Sequence, residues 1–314
     1  IDLHEHFPEY YDNETQSILY TSKICRQWMT RFIYLSDTHW GAGESGYHLQ
    51  PKYDERLPEL LEALRSWMAQ AGPIDFVLHG GDLIHATSDA AIQAGAALFD
   101  LPVPVYLCLG NHDLTAAGSL DQWERLAPQL FPGGPAGYGI DAADCAIHVI
   151  PNQHGETPFL WDETQDPHFL PEQTEALEER LAVRSNSTQL ILTHSPVYAI
   201  SPAQTGLSEP FHEPSALFTE VVSTLAQTHG VACVLGGHSH ANMSKSVHST
   251  QYVTVSSFVE TPFEFKLFEV DGKTLSMQTH NLREAIDFPT VYDWDSTFVQ
   301  GRAADRSFQK DLTQ

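Results

Sequence analysis

Five short apolar runs in this chain, residues 32–37, 76–82, 105–112, 190–194 and 231–240, each close on a cluster of Asp, Asn and His. The runs are rich in β-branched, aromatic and Leu residues and are bounded by turn formers, which is the pattern of strands buried on both faces. Side chains from such distant segments meet only if a sheet brings the strand ends to one edge, and loops past that edge are where open α/β sheets bind ligands. The recurrence therefore constrains fold and chemistry together: parallel strands with metal-ligating residue types at their C-terminal ends.

The intervening segments supply the rest of an α/β fold. Leu57, Leu60, Leu61, Leu64, Trp67 and Met68 repeat at helical spacing, and Gly72-Pro73 stops that helix before a strand over 74–78. Ser88 is placed to cap a second helix carrying Ile92, Ala96 and Phe99, with a strand over 103–109 after it. Ser119 with Gln122 three residues on reads as a capping box for a third. Strand 146–150, helix 171–184, strand 189–193, a helix on Leu217, Phe218, Val221, Val222 and Leu225, and strand 231–235 continue the alternation. Beyond His240 come extended segments 252–256, 264–270 and 274–279, the last two joined by an Asp271-Gly272 hairpin turn, so an antiparallel region is expected there.

A length of 314 residues with 42% hydrophobic content suits one large domain. It is expected to span 29–283, after an extension over 1–28 that lacks the features of a signal peptide. A polar tail over 284–314 is expected to lie on the surface or to make an oligomer contact. No apolar run approaches the roughly twenty residues that span a bilayer. The net charge of −25, from sixteen basic residues, repels polyanions and disfavours long nucleic acid as a partner, while bound cations would still draw a small anion. Cys25, Cys108, Cys145 and Cys233 form no CxxC pair and no disulfide-like spacing, so they read as buried hydrophobes of a reducing compartment, the cytoplasm.

The clusters are Asp37-Thr38-His39, Gly80-Gly81-Asp82, Gly110-Asn111-His112-Asp113, Thr193-His194 and Gly237-His238-Ser239-His240. In extended backbone, residues two apart face the same way, so Asp37 with His39, and His238 with His240, aim two ligands at one point. A single D-x-H or H-x-H is a common loop accident. Five clusters in one order, each ending an apolar strand, specify a metal site.

That order resembles the calcineurin-like metallophosphoesterase superfamily, whose pattern is D-x-H, G-D, G-N-H-[DE], a later His and G-H-x-H. Every element is present, and the resemblance covers Arg31 to Asn281. It implies an α/β (α+β) fold, a four-layer αββα sandwich of two mixed sheets flanked by helices. It implies that Asp37, His39 and His240 hold one metal, that Asn111, His194 and His238 hold a second, and that Asp82 bridges them. Mixed N and O donors without thiolates suit Mn, Fe or Zn better than Mg or Ca. Two such ions roughly 3.5 to 4 Å apart activate a shared water and stabilise both oxygens of an in-line displacement at phosphorus, so phosphate ester hydrolysis is the expected reaction. His112 is implied to contact the phosphate and assist the leaving oxygen, with Asp113 fixing its tautomer.

Departures narrow the branch. The Arg that protein Ser/Thr phosphatases carry after the bridging Asp is replaced by Leu83-Ile84-His85-Ala86, and their Glu after G-N-H by Asp113. Purple acid phosphatases place Tyr where His85 stands and lack the His of D-x-H, which His39 supplies. The layout is most similar to bacterial class III cyclic nucleotide phosphodiesterases and glycerophosphodiesterases. Scarcity of Lys and Arg near the clusters favours small diesters over dianionic monoesters; a phosphomonoesterase and a non-catalytic binding module are the competing readings, and net charge disfavours a nuclease. Substrate contacts are expected from His85 and from loops 40–47, 154–168 and 198–212, with Trp40, Tyr198, Phe211 and His212 as candidates; inward packing of the aromatics is the alternative.

Overall fold

The computed structural model describes residues 29–313, so the expected extension over 1–28 lies outside the described residues. In chain order the strands are β1 (Thr30–Leu35), β2 (Phe76–His79), β3 (Val105–Leu107), β4 (Tyr138–Asp141), β5 (Cys145–Val149), β6 (Thr188–Leu192), β7 (Cys233–Gly236), β8 (Met243–Val247), β9 (Thr250–Thr254), β10 (Glu264–Val270), β11 (Thr274–Asn281) and β12 (Ser307–Asp311). The principal helices are α1 (Leu57–Ala71), α2 (Asp89–Leu98), α3 (Ser119–Leu126), α4 (Pro171–Val183) and α5 (Ala216–Thr228). No helix among the described residues is long and apolar enough to cross a membrane.

The strands form two mixed six-stranded sheets. The first runs β12-β11-β10-β1-β2-β3, with β1, β2 and β3 parallel and the other pairs antiparallel. The second runs β4-β5-β6-β7-β9-β8, parallel from β5 to β9 with an antiparallel strand on each edge. The period-2 geometry of β6 and β7 explains the layering. Leu190, Leu192, Cys233 and Leu235 join the large core shared with β1, β2 and α1. Ile191 and Val234 turn to the other face, where Leu177, Leu181, Phe218 and Val222 of α4 and α5 cover them. Within the first sheet Phe32 stacks between Phe76 and Phe268, at 5.2 and 5.0 Å. Two facing sheets with helices outside give the expected sandwich.

Local signals behaved unequally. Ser88 caps α2, its side chain accepting from Ala91 N at 3.1 Å. Ser119 forms no capping box: Gly118 is the N-cap of α3, and the Ser119 hydroxyl donates back to the Ala116 carbonyl at 2.5 Å. The stretch after His240 is only partly antiparallel, since β9 lies parallel to β7. Residues 307–311, read as part of a surface tail, pair with β11 as the edge of the first sheet.

Candidate metal centre

All five clusters occupy loops just past C-terminal strand ends, but they come from two sheets: β1, β2 and β3 of the first, β6 and β7 of the second. The backbone there is not extended. Asp37, His39, Asp82, His238 and His240 have φ of 57°, 41°, 54°, 61° and 51°, the left-handed region that bulky residues rarely adopt. Strained positions persist where surrounding contacts over-determine them. Here Asp37 N donates to Gly81 O and His39 N to Asp82 O, both at 2.9 Å, and Gly237 N donates to His194 O at 2.7 Å. Glycine is needed at two close approaches: a Cβ on Gly110 would meet Asp82 N at 2.5 Å, and one on Gly237 would come within 2.6 Å of Asp37 Oδ2.

The seven candidate ligands converge. Potential donor atoms of Asp37, His39 and His240 lie within 4.8 Å of one another, as do those of Asp82, His194 and His238. His39 Nε2 is 3.1 Å from His240 Nε2, which is 3.5 Å from Asp37 Oδ1. Asn111 Oδ1 lies 3.1 Å from His194 Nε2 and 3.0 Å from His238 Nδ1. Asp82 Oδ2 stands between the groups, 3.6 Å from His39 Nε2 and 3.4 Å from His194 Nε2. Outer partners set the tautomers: His194 Nδ1 donates to Gly80 O at 2.8 Å and His240 Nδ1 to Glu260 Oε1 at 2.5 Å, which turns both Nε2 atoms inward.

Electrostatics fit cations in this cage. Burial lowers His39 and His238 well below the ordinary imidazole range, so they stay neutral donors. Burial opposes charge on His194 and His240 too, but Asp82 and Asp37 outweigh it at His194 and hold it at about 9, while Glu260 and Asp37 hold His240 at about 10. Metal ions held by these residues would supply the positive charge that Asp37 and Asp82 face. Three carboxylate or amide side chains and four imidazoles suit two transition-metal ions.

A model of the calcineurin-like phosphoesterase family matches residues 30–242. The chain belongs to this family. Calcineurin-like phosphoesterases are dinuclear metal-dependent hydrolases, in keeping with the Asp and His groups assembled here. No curated protein matches the chain. Among solved structures, a dimetal phosphatase from Danio rerio is 17% identical over 80% of this chain and 96% of its own, with a TM-score of 0.59. A purple acid phosphatase from yellow lupin seeds is also 17% identical, over 91% and 54%, at 0.58. GAP50, the anchor in the inner membrane complex of Plasmodium, is 12% identical over 88% and 91%, at 0.57. At these identities the likeness is one of fold.

The calcineurin-like pattern accounts for the cage but not for its surroundings. A cavity of about 450 Å³ opens on it, floored by His39, Asp82, Asn111, His112, His238 and His240. His112 Nδ1 donates to the His85 carbonyl at 2.8 Å. Asp113 does not do this job: its carboxylate accepts from Ile84 N at 3.1 Å and Gly110 N at 2.9 Å, tying the Asp82 loop to the Asn111 loop. Burial, then the Asp82 charge, pushes Asp113 up to about 7. The His85 ring stacks on His112 at 4.5 Å and sets its Nδ1 3.3 Å from His39 Nδ1. His79 is buried between Thr38 and Gly81 N, a structural role.

Of the substrate candidates, only His212 lines the cavity, beside Glu213 and Pro214. Trp40 packs on the main core, and Tyr198 packs against Tyr252 at 4.7 Å under the Lys245 ammonium. Phe211 meets Phe298 at 6.2 Å. Instead Tyr47 covers His39 at 4.0 Å, and Trp161 covers His112 at 4.6 Å. Neither carries a motif; only membership of the variable loops pointed to them.

Proposed function

We propose that this calcineurin-like phosphoesterase is a phosphodiesterase acting on small diesters of the cyclic nucleotide or glycerophosphodiester type. The observation that carries the reading is a cavity with all seven candidate ligands at its base or in the cage beneath it and no Lys or Arg among its lining residues. A monoester dianion calls for cations beyond the metals, whereas a diester carries one negative charge. Asp166 and Glu213 on the rim oppose a second charge further.

Two transition-metal ions, Mn, Fe or Zn, supply an activated water and electrophilic stabilisation of the phosphoryl group when bound. Asp37, His39 and His240 would hold one, Asn111, His194 and His238 the other, and Asp82 would serve both. The chain's own residues do the remaining work. His112, its Nδ1 proton held by the His85 carbonyl, offers its second nitrogen to a phosphoryl or leaving oxygen. Tyr47 lines the cavity and Trp161 packs on His112, and together they limit water around that imidazole. Asp113 keeps the two loops in register. A cytoplasmic location accords with Cys108, Cys145 and Cys233 being buried and unpaired.

Turnover of bis(p-nitrophenyl) phosphate against p-nitrophenyl phosphate, with Mn added, tests the reading. The diester should be the better substrate. Equal or faster monoester turnover would establish a phosphomonoesterase, and metal uptake without turnover of either would establish a binding module.

A further inference from the structure

Glu260 lies outside every motif of the family pattern, yet it is 1% exposed and in contact with the cage. Its Oε1 is 2.5 Å from His240 Nδ1, while its Oε2 accepts from Gln50 N at 2.7 Å and Leu49 N at 3.0 Å. No Lys or Arg pairs with it among the described residues. A carboxylate so buried is tolerable only when its lone pairs are satisfied, and these three N–H groups do so. The main chain adds to the link: Thr261 N donates to Pro51 O at 3.1 Å and Tyr53 N to Val259 O at 2.8 Å.

Leu49 and Gln50 close the loop that carries Tyr47, whose ring lies 4.0 Å from His39 and 5.6 Å from His240. One carboxylate thus touches a candidate ligand with one oxygen and, with the other, the end of the loop that bears the cavity-lining Tyr47. We propose that Glu260 is a positioning residue: it presents His240 Nε2 toward Asp37 and His39 and latches the 41–50 loop over the same point. Filling the first metal position and fixing the Tyr47 wall are then one linked event, and linkage of this kind is reciprocal. The proposal rests on the di-metal reading above.

The test uses the full chain, with Mn titrated by calorimetry, retained Mn counted after desalting, and amide hydrogen exchange followed at Leu49 and Gln50. In the parent protein two Mn ions bind, and Mn slows exchange at both amides. Glu260→Gln offers a single acceptor oxygen where the carboxylate has two, so one ion weakens by about 10- to 100-fold while the other is retained. Mn then no longer protects the two amides. Glu260→Asp, which keeps the charge one methylene short, should recover part of the lost affinity and provides the comparison if the Gln variant fails to fold. Two Mn ions bound by either variant with parental affinity would overturn the proposal while leaving the di-metal reading intact. So would exchange at residues 49 and 50 that ignores Mn in the parent. A parent protein that takes up no Mn would overturn both.

Discussion

Asp82 is buried, its backbone sits at φ 54°, and one of its oxygens faces imidazoles from both halves of the cage. Its other oxygen accepts from His112 N at 2.8 Å, so the same carboxylate also seats the loop carrying the proposed acid. Asp82→Ala is expected to lose both ions and all turnover. His112→Ala should keep both ions and lose about 10²- to 10⁴-fold in kcat, the usual worth of a positioned acid or base. Metal counting beside Mn-dependent diester hydrolysis checks both variants; turnover surviving in the first would refute the bridging role. What a residue can donate is written in its letter, which is why the candidate ligands were readable. Whom it meets is not. Asp113 was expected to orient His112, but its partners depend on how two loops pack, as does the approach of Tyr47 and Glu260.

Elements were readable where burial is two-sided. β5 and β6 lie between helices and the facing sheet, so their apolar runs are nearly continuous. The edge strands β4, β8 and β12 are half-exposed and polar or interrupted by Gly139, and a strand such as Ser307–Asp311 has no apolar run to reveal it. Capping signals divide on geometry. Ser88 has the extended φ of −156° that lets its hydroxyl reach Ala91 N, whereas Ser119 is already inside the first turn behind Gly118. The helix α2 starts just past the loop of Asp82 and His85. Ser88→Ala should lower stability by about 1 kcal/mol, read from urea unfolding, with the two metals still bound. An unchanged midpoint would show that tertiary packing alone holds that helix end.

The molecule as a whole joins two sheets through their parallel strand ends on one side and through buried charge on another. Glu264 pairs with Arg306 at 2.6 Å and accepts from Asn242 at 2.5 Å, so β10, the loop after β7 and the short helix before β12 share one network. Lys266 lies inside it, fully buried, donating to Thr279 Oγ1 at 2.9 Å. Burial pushes this ammonium down to about 7, with Arg306 adding to the shift and Glu264 and Asp305 opposing it. Below that pH it is charged in folded and unfolded chains alike, and folding bears the cost of burying the charge. Between about 7 and the ordinary lysine value of 10.5, the folded form sheds a proton that the unfolded chain keeps, so stability rises with pH. Cys108, Cys145 and Cys233, held neutral by burial, work in the opposite direction once unfolded thiols ionise near pH 8.5. The window for measurement is therefore about pH 7 to 8.5. Across it the urea midpoint of the parent should climb relative to that of Lys266→Met, which has no proton to shed at this position. Parallel profiles for the two proteins would mean that Lys266 keeps its ordinary titration, with solvent reaching the network between the sheets.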